Sequence, residues 1–178
     1  MRFVEYDDRL KRTAFDPALI HLVPQLVGET PAVFQDMALL KPPHIGREKP
    51  SHQDHAYFDL PLTTTVVRVW IVLDEATTEN GYMVINAGSH QAGPTIYFSR
   101  LDWQICDTHT RNTALLVVPL KPGGALFFHS LIQHGTPANN SPHRRRAVQF
   151  HYAPASAQKG AEEDRLAIFG SEGKDVTC

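Results

Sequence analysis

The stretch that most limits the fold is Thr65-Val66-Val67-Arg68-Val69-Trp70-Ile71-Val72-Leu73. It is rich in β-branched residues and contains no glycine or proline, so it is predicted to be a strand. Strand side chains alternate between faces. Thr65, Val67, Val69, Ile71 and Leu73 therefore share one face, which reads as core. Val66, Arg68, Trp70 and Val72 share the other. That second face mixes polar tips with apolar bodies, as a cavity wall does.

The rest of the chain repeats this texture in shorter pieces. Strands are expected near 33–41, 53–60, 82–85, 114–120, 125–129 and 145–152. Pro42-Pro43, Asn80-Gly81, Lys121-Pro122-Gly123-Gly124 and residues 137–142 break them as turns or loops. One helix is expected first. Asp16 is a suitable N-cap, Pro17 fits the first helical position, apolar residues recur through Val27, and Gly28 ends it. Pro24 inside that pattern predicts a kink or two short helices. Residues 1–15 and 91–111 read as irregular, and 161–168 as a small helix in the tail 154–178. Many short strands after one helix point to a mainly β fold, a double-stranded β-helix (jelly roll, cupin-like) with a few flanking helices. At 178 residues a single domain over 1–178 is expected.

Several functional classes are excluded. A formal charge of −2 and the short basic run Arg144-Arg145-Arg146 leave no case for nucleic acid. No apolar run approaches the ~20 residues of a membrane span, and no signal-peptide pattern opens the chain. Two cysteines, Cys106 and Cys178, suggest neither a disulfide framework nor a Cys-based zinc site, and Cys106 reads as an inert core thiol. The expectation is a cytoplasmic protein acting on a small-molecule substrate.

Ten histidines are many for this length, and one lies in a pattern with metal-binding meaning. In Ser51-His52-Gln53-Asp54-His55, an extended backbone turns His52 and Asp54 to one side and Gln53 to the other. A third ligand must come from elsewhere, and His134 in His134-Gly135-Thr136 is the best candidate. His129 is its rival, because strand parity cannot be carried across Leu131-Ile132-Gln133. Two histidines and one carboxylate make the facial triad of non-haem Fe(II) oxygenases, which leaves positions open on the metal.

A family likeness emerges from these residues together. Lys41-Pro42-Pro43, His52-Gln53-Asp54, Tyr57-Phe58, Trp70, Asn80-Gly81, Gly88-Ser89-His90, Phe127-Phe128-His129, His134-Gly135-Thr136 and Arg145 occur in one ordered register. In this the chain resembles the phytanoyl-CoA dioxygenase family of Fe(II)/2-oxoglutarate-dependent oxygenases, from about Lys41 to Tyr152. The resemblance implies a jelly roll with Fe(II) held by His52, Asp54 and His134, with 2-oxoglutarate and O2 as co-substrates. It implies that Arg145 grips the far carboxylate of 2-oxoglutarate, and that Lys41, Trp70 and Thr136 are co-substrate contacts. The distance past the distal histidine selects Arg145 over Arg144 and Arg146. Gln53, His55, Tyr57 and His151 are the candidates for the substrate pocket.

The residue chemistry agrees. A planar guanidinium suits two-point contact with a carboxylate. On the last strand Arg145, Ala147, Gln149 and His151 share a face, with Val148, Phe150 and Tyr152 packing on the other. The Trp70 indole N–H needs an acceptor if buried. Asp54 argues for hydroxylation over halogenation, since the halogenating branch lacks that carboxylate. There are departures too. Family members carry a longer N-terminal region, Gly124 stands where an acid often follows glycine, and Ala87 where proline often precedes Gly-Ser-His. Two other readings stay open at this point: a cupin-like Zn or Mn isomerase or hydrolase, and a catalytically inactive binding member of the fold.

Overall fold

A computed structural model describes residues 2–106, 109–110 and 115–170. The run that dominates the sequence is strand β3 (Val67–Val72), at an inner position of its sheet. It pairs with β10 (Arg145–Pro154) on one side and with β8 (Ala125–His129) on the other. β1 (Pro31–Lys41) then flanks β10. A second sheet takes the order β2 (Lys49–His52), β9 (His134–Thr136), β4 (Met83–Asn86), β7 (Leu115–Val118). All pairings are antiparallel. Two four-stranded antiparallel sheets form the expected jelly roll.

The alternation along β3 holds. Val67 and Val69 pack with Phe150 and Tyr152 against the helical layer, while Trp70 and Val72 join Met83, Phe128 and Ala147 between the sheets. The helical layer is α1 (Asp8–Ala14) and α2 (Pro17–Val27), with Ala14, Leu19, Val23 and Val27 buried. The Tyr152 hydroxyl donates to the Ala14 carbonyl at 2.6 Å, which ties the layer to the sheet. Asp16 caps α2 and Gly28 ends it at φ 90°, as expected. The helix runs unbroken through Pro24, so the reading of two short helices does not hold.

Four further expectations are corrected. Residues 1–15 are not irregular: a 3-10 turn at Phe3–Glu5 precedes α1, and Asp7 caps that helix. The Asp36 carboxylate of β1 anchors the turn by accepting from the backbone N–H groups of Phe3 and Val4. The helix is too short to show a periodic stripe, and tertiary contacts hold it. Within 91–111, β5 (Tyr97–Ser99) and β6 (Trp103–Ile105) form a hairpin whose strands are also too short for a periodic signal. Cys106 there is buried and disulfide-bonded, not a free thiol. The strand expected at 53–60 instead ends at His52 as β2, and Asp54–Tyr57 is a 3-10 helix. The tail carries α3 (Glu162–Phe169). No helix among the described residues is long and apolar enough to cross a membrane.

Candidate metal centre

Between the sheets lies a cavity of about 500 Å³. His52, the last residue of β2, pairs with His134, the first residue of β9. Their ring centroids are 4.1 Å apart. Asp54 follows one extended residue later, at the start of the 3-10 helix. Its Oδ1 lies 3.6 Å from Nε2 of His52 and 3.6 Å from Nε2 of His134. One ligand atom from each of the three residues falls within 4.8 Å of the others, and all three residues are buried.

The imidazoles are oriented from behind. Nδ1 of His52 lies 2.8 Å from the Pro50 carbonyl, and Nδ1 of His134 lies 2.9 Å from the Ile132 carbonyl. A carbonyl can only accept, so each Nδ1 carries the proton and each Nε2 lone pair faces Asp54. Burial, then the proximity of His52, hold the His134 pKa well below its ordinary value, which is the neutral form a metal needs. Burial opposes ionisation of Asp54, yet Arg68, His134 and His151 together hold its carboxyl well below the usual range.

His129 is not part of this group. Its Nδ1 accepts from the backbone N–H of Leu131, and its ring stands near His90. The chain reverses between β8 and β9, so His134 and not His129 reaches the pair.

The cavity wall beyond the triad is built by β1, β3 and β10. Trp70, Lys41, Thr136, Arg145, Tyr57 and His151 all line it. The Arg145 guanidinium sits over the Trp70 ring at 5.5 Å and donates through Nε to the Gly81 carbonyl. Its Nη1 and the Trp70 Nε1 are buried donors without a partner. Burial, then the charge of Arg68, bring Arg145 down to about 10, so it remains a cation at neutral pH. Lys41 gives its ammonium protons to the carbonyls of Arg47, Thr136 and Pro137, so it faces the cavity as wall and charge rather than as a free donor. Burial, then Arg145, lower its pKa to about 8. Arg146 forks onto Asp74 outside the site, with Arg144 beside it.

Two pocket candidates point elsewhere. Gln53 is fully buried on the far side of the triad, donating to the carbonyls of Gly93 and Leu131 and accepting from Thr95 N–H. His55 is buried against Ser130 Oγ and the Leu60 carbonyl. The cause is the 3-10 turn: residues i and i+3 eclipse in such a helix, so Asp54 and Tyr57 face the cavity together and His55 turns inward. Gln53 thus lies behind the triad, and neither it nor His55 is among the residues that line this cavity.

The donor set and the unpartnered Arg145 and Trp70 donors fit a divalent metal with a carboxylate-bearing co-substrate beside it. Residues 2–147 match the family model described as Phytanoyl-CoA dioxygenase (PhyH). The chain belongs to the phytanoyl-CoA dioxygenase family. The match reaches the N-terminal helices, well before Lys41, where the sequence resemblance begins. Family members use Fe(II), 2-oxoglutarate and O2. The phytanoyl-CoA dioxygenase domain-containing protein 1 of Danio rerio is 29% identical over 154 residues, covering 82% of this chain and 53% of the relative. The chain spans about half the length of the curated relatives it matches. The solved epimerase SnoN, in complex with Fe3+, alpha ketoglutarate and nogalamycin RO, is 25% identical with a TM-score of 0.73, covering 87% of this chain and 62% of that one. The carbocyclase SnoK, at 23% identity and a TM-score of 0.75, shares the fold over 98% of this chain and 70% of its own.

The sequence reading missed Arg68 as a site residue. Its Nη1 donates to both oxygens of Asp54, at 3.1 and 3.2 Å, and lies 2.6 Å from His134 Nε2. The available signal was its parity with Trp70 on β3. Gln35, Met37 and Leu39 of β1 also line the cavity and alternate in the same way.

Proposed function

We propose that this chain is an Fe(II)- and 2-oxoglutarate-dependent oxygenase that hydroxylates a small organic molecule, with 2-oxoglutarate leaving as succinate and CO2. The observation that carries the reading is one of place. Three ligand atoms within 4.8 Å share a cavity with two buried, unpartnered donors, Arg145 Nη1 and Trp70 Nε1. In a non-redox Zn or Mn protein those two donors would need another partner, such as a carboxylate on the substrate itself.

In this reading His52, Asp54 and His134 hold the metal, and Arg145 with Trp70 holds the far carboxylate of 2-oxoglutarate. Lys41 adds positive charge, and Thr136 lines the cavity beside the co-substrate. Iron with 2-oxoglutarate and O2 supplies the oxidising chemistry. The carbonyls behind His52 and His134 keep both Nε2 atoms presented. His151 Nε2 holds Oδ2 of Asp54 and so fixes which oxygen is presented to the metal. Met37, Leu39, Phe58 and Met83 give the cavity apolar walls that exclude water from the reacting centre. No side chain is required as a general acid or base. Tyr57 and His151 lie where a substrate would touch them. SnoN is an epimerase and SnoK a carbocyclase on this fold, so the fold alone does not set how the oxidation ends.

Anaerobic addition of Fe(II) and then 2-oxoglutarate tests the reading. A weak visible charge-transfer band is expected, and its absence from folded, iron-loaded protein overturns the assignment. Succinate release is expected to vanish in Asp54→Ala.

A further inference from the structure

Arg68 is a buried cation that the proposed reaction leaves without a task. It lies on β3 two residues before Trp70, so guanidinium and indole project from the same face into the cavity. It is 4% exposed, and its guanidinium stands over the Phe128 ring at 5.2 Å. Its Nη1 reaches Asp54 Oδ1, Asp54 Oδ2 and His134 Nε2, the atoms that would face the metal. A divalent ion and a guanidinium repel strongly at such separations in a buried site, so the two cannot hold these atoms together. Metal binding therefore requires Arg68 to leave Asp54.

The charges show what it lacks afterwards. Metal and Arg145 are balanced by Asp54 and the two carboxylates of 2-oxoglutarate. Lys41 is satisfied by three carbonyls. Arg68 is left as a desolvated cation with no anion, which is costly unless one arrives. The ground beside it is prepared for a polar group. The strand register sets His151 opposite Arg68 and Gln149 opposite Trp70, with Gln35 of β1 opposite His151. Arg68 Nε is a buried donor without a partner, and Gln149 Oε1 and His151 Nδ1 are buried acceptors without one that suit a hydroxyl or N–H elsewhere on a ligand; all three belong to cavity-lining residues.

Resting on the iron and 2-oxoglutarate reading, we propose that Arg68 is the receptor for a carboxylate on the substrate. In this structure Arg68 is held by Asp54. With a metal held at Asp54 and His134, the Arg68 fork would be free to take the substrate's carboxylate, while Gln149 Oε1 and His151 Nδ1 would accept from a hydroxyl or N–H on the same substrate. The substrate class is a small carboxylic acid, oxidised at a carbon close to its acid group.

The test begins with metal alone. Calorimetric titration with Mn(II) is expected to show binding to the wild type, and binding about tenfold tighter to Arg68→Gln, where no cation must be displaced. With Mn(II) and saturating 2-oxoglutarate present, butanoate, hexanoate and 3-phenylpropanoate are compared with their primary amides. At least one acid is expected to bind the wild type about tenfold more tightly than its amide, because a charge-assisted fork is made only with the acid. That preference is expected to vanish in Arg68→Gln and to persist, reduced, in Arg68→Lys, which also controls for loss of fold. If no acid is preferred, or if the preference survives in Arg68→Gln, the proposal is overturned while the metal site stands. If only Arg68→Gln binds Mn(II), Arg68 is a permanent occupant and the anion role is overturned. If neither protein binds Mn(II), the metal reading itself fails, and the proposal with it.

Discussion

His151 Nε2 lies 3.2 Å from Oδ2 of Asp54, across 97 residues of chain. The imidazole donates to one carboxylate oxygen and leaves Oδ1 facing His52 and His134. His151 thus sets how Asp54 is presented, and the sequence could not say whether it lined the cavity or merely filled the core. Burial lowers its pKa, so it makes this bond as a neutral ring.

Loss of that bond is expected to loosen the metal and not the fold. His151→Phe keeps the ring volume, and its packing beside Phe34 and Phe58 favours an apolar replacement. Metal affinity is expected to fall by about 10–100-fold, as for other groups that orient a ligand from behind. Mn(II) calorimetry measures it, and an unchanged affinity would show that the His151 bond does not set how Asp54 is presented.

At Arg145 the shape of the charge matters as well as its sign. Arg145→Ala is expected to weaken 2-oxoglutarate binding by about 10–100-fold, from hydrogen bonds to a charged group worth about 1.5–3 kcal/mol. Arg145→Lys is expected to recover only part, since a point charge cannot form the fork. Titration of the charge-transfer band with 2-oxoglutarate gives both values, and full recovery in Arg145→Lys would remove the geometric argument.

Gly81 links a turn to this arginine. It sits at φ +93°, and a Cβ there would run into Lys41 Cδ and lie 3.0 Å from the Pro137 carbonyl. Gly81→Ala is expected to cost at least about 1–2 kcal/mol from the left-handed backbone alone, with the clash added. Because the Gly81 carbonyl accepts from Arg145 Nε, 2-oxoglutarate affinity should fall with it. Urea unfolding and the band titration read the two effects separately.

Lys41 gives a pH dependence with a definite sign. Burial, then Arg145, bring its pKa from 10.5 to about 8 in the folded chain. Above about pH 8 the unfolded chain holds this proton and the folded chain releases it. Stability therefore gains from Lys41 as pH rises from about 8 towards 10.5. Below that window the buried charge is a standing cost. The difference in urea midpoint between wild type and Lys41→Met is expected to grow in favour of the wild type as pH rises across this range. A flat difference would mean that the three carbonyls keep Lys41 protonated.

Much of the site was legible because its signals are local. His52 and Asp54 lie two residues apart, and Arg145, Gln149 and His151 alternate on one strand, so backbone geometry alone points each set to one side. The same alternation divided β3 into a core face and a cavity face. It also contained Arg68, whose parity with Trp70 was visible while its grip on Asp54 was not, because that contact needs two elements brought together. α1 and the β5–β6 hairpin escaped for a related reason: short segments held by contacts such as Asp36 to Phe3 leave no period to read.

The sequence by itself determined the sheet-rich fold, the pairing of His52 with Asp54, and the strand faces that carry Trp70 and Arg145. Only the tertiary structure decided that His134 and not His129 completes the group. It also decided that Gln53 and His55 turn into the protein, and that Arg68 stands among the ligand atoms. The reason is physical. Alternation fixes direction only while the backbone stays extended, and the chain leaves that state at the 3-10 turn after His52 and at the reversal before His134. Past those points, packing sets where a side chain goes.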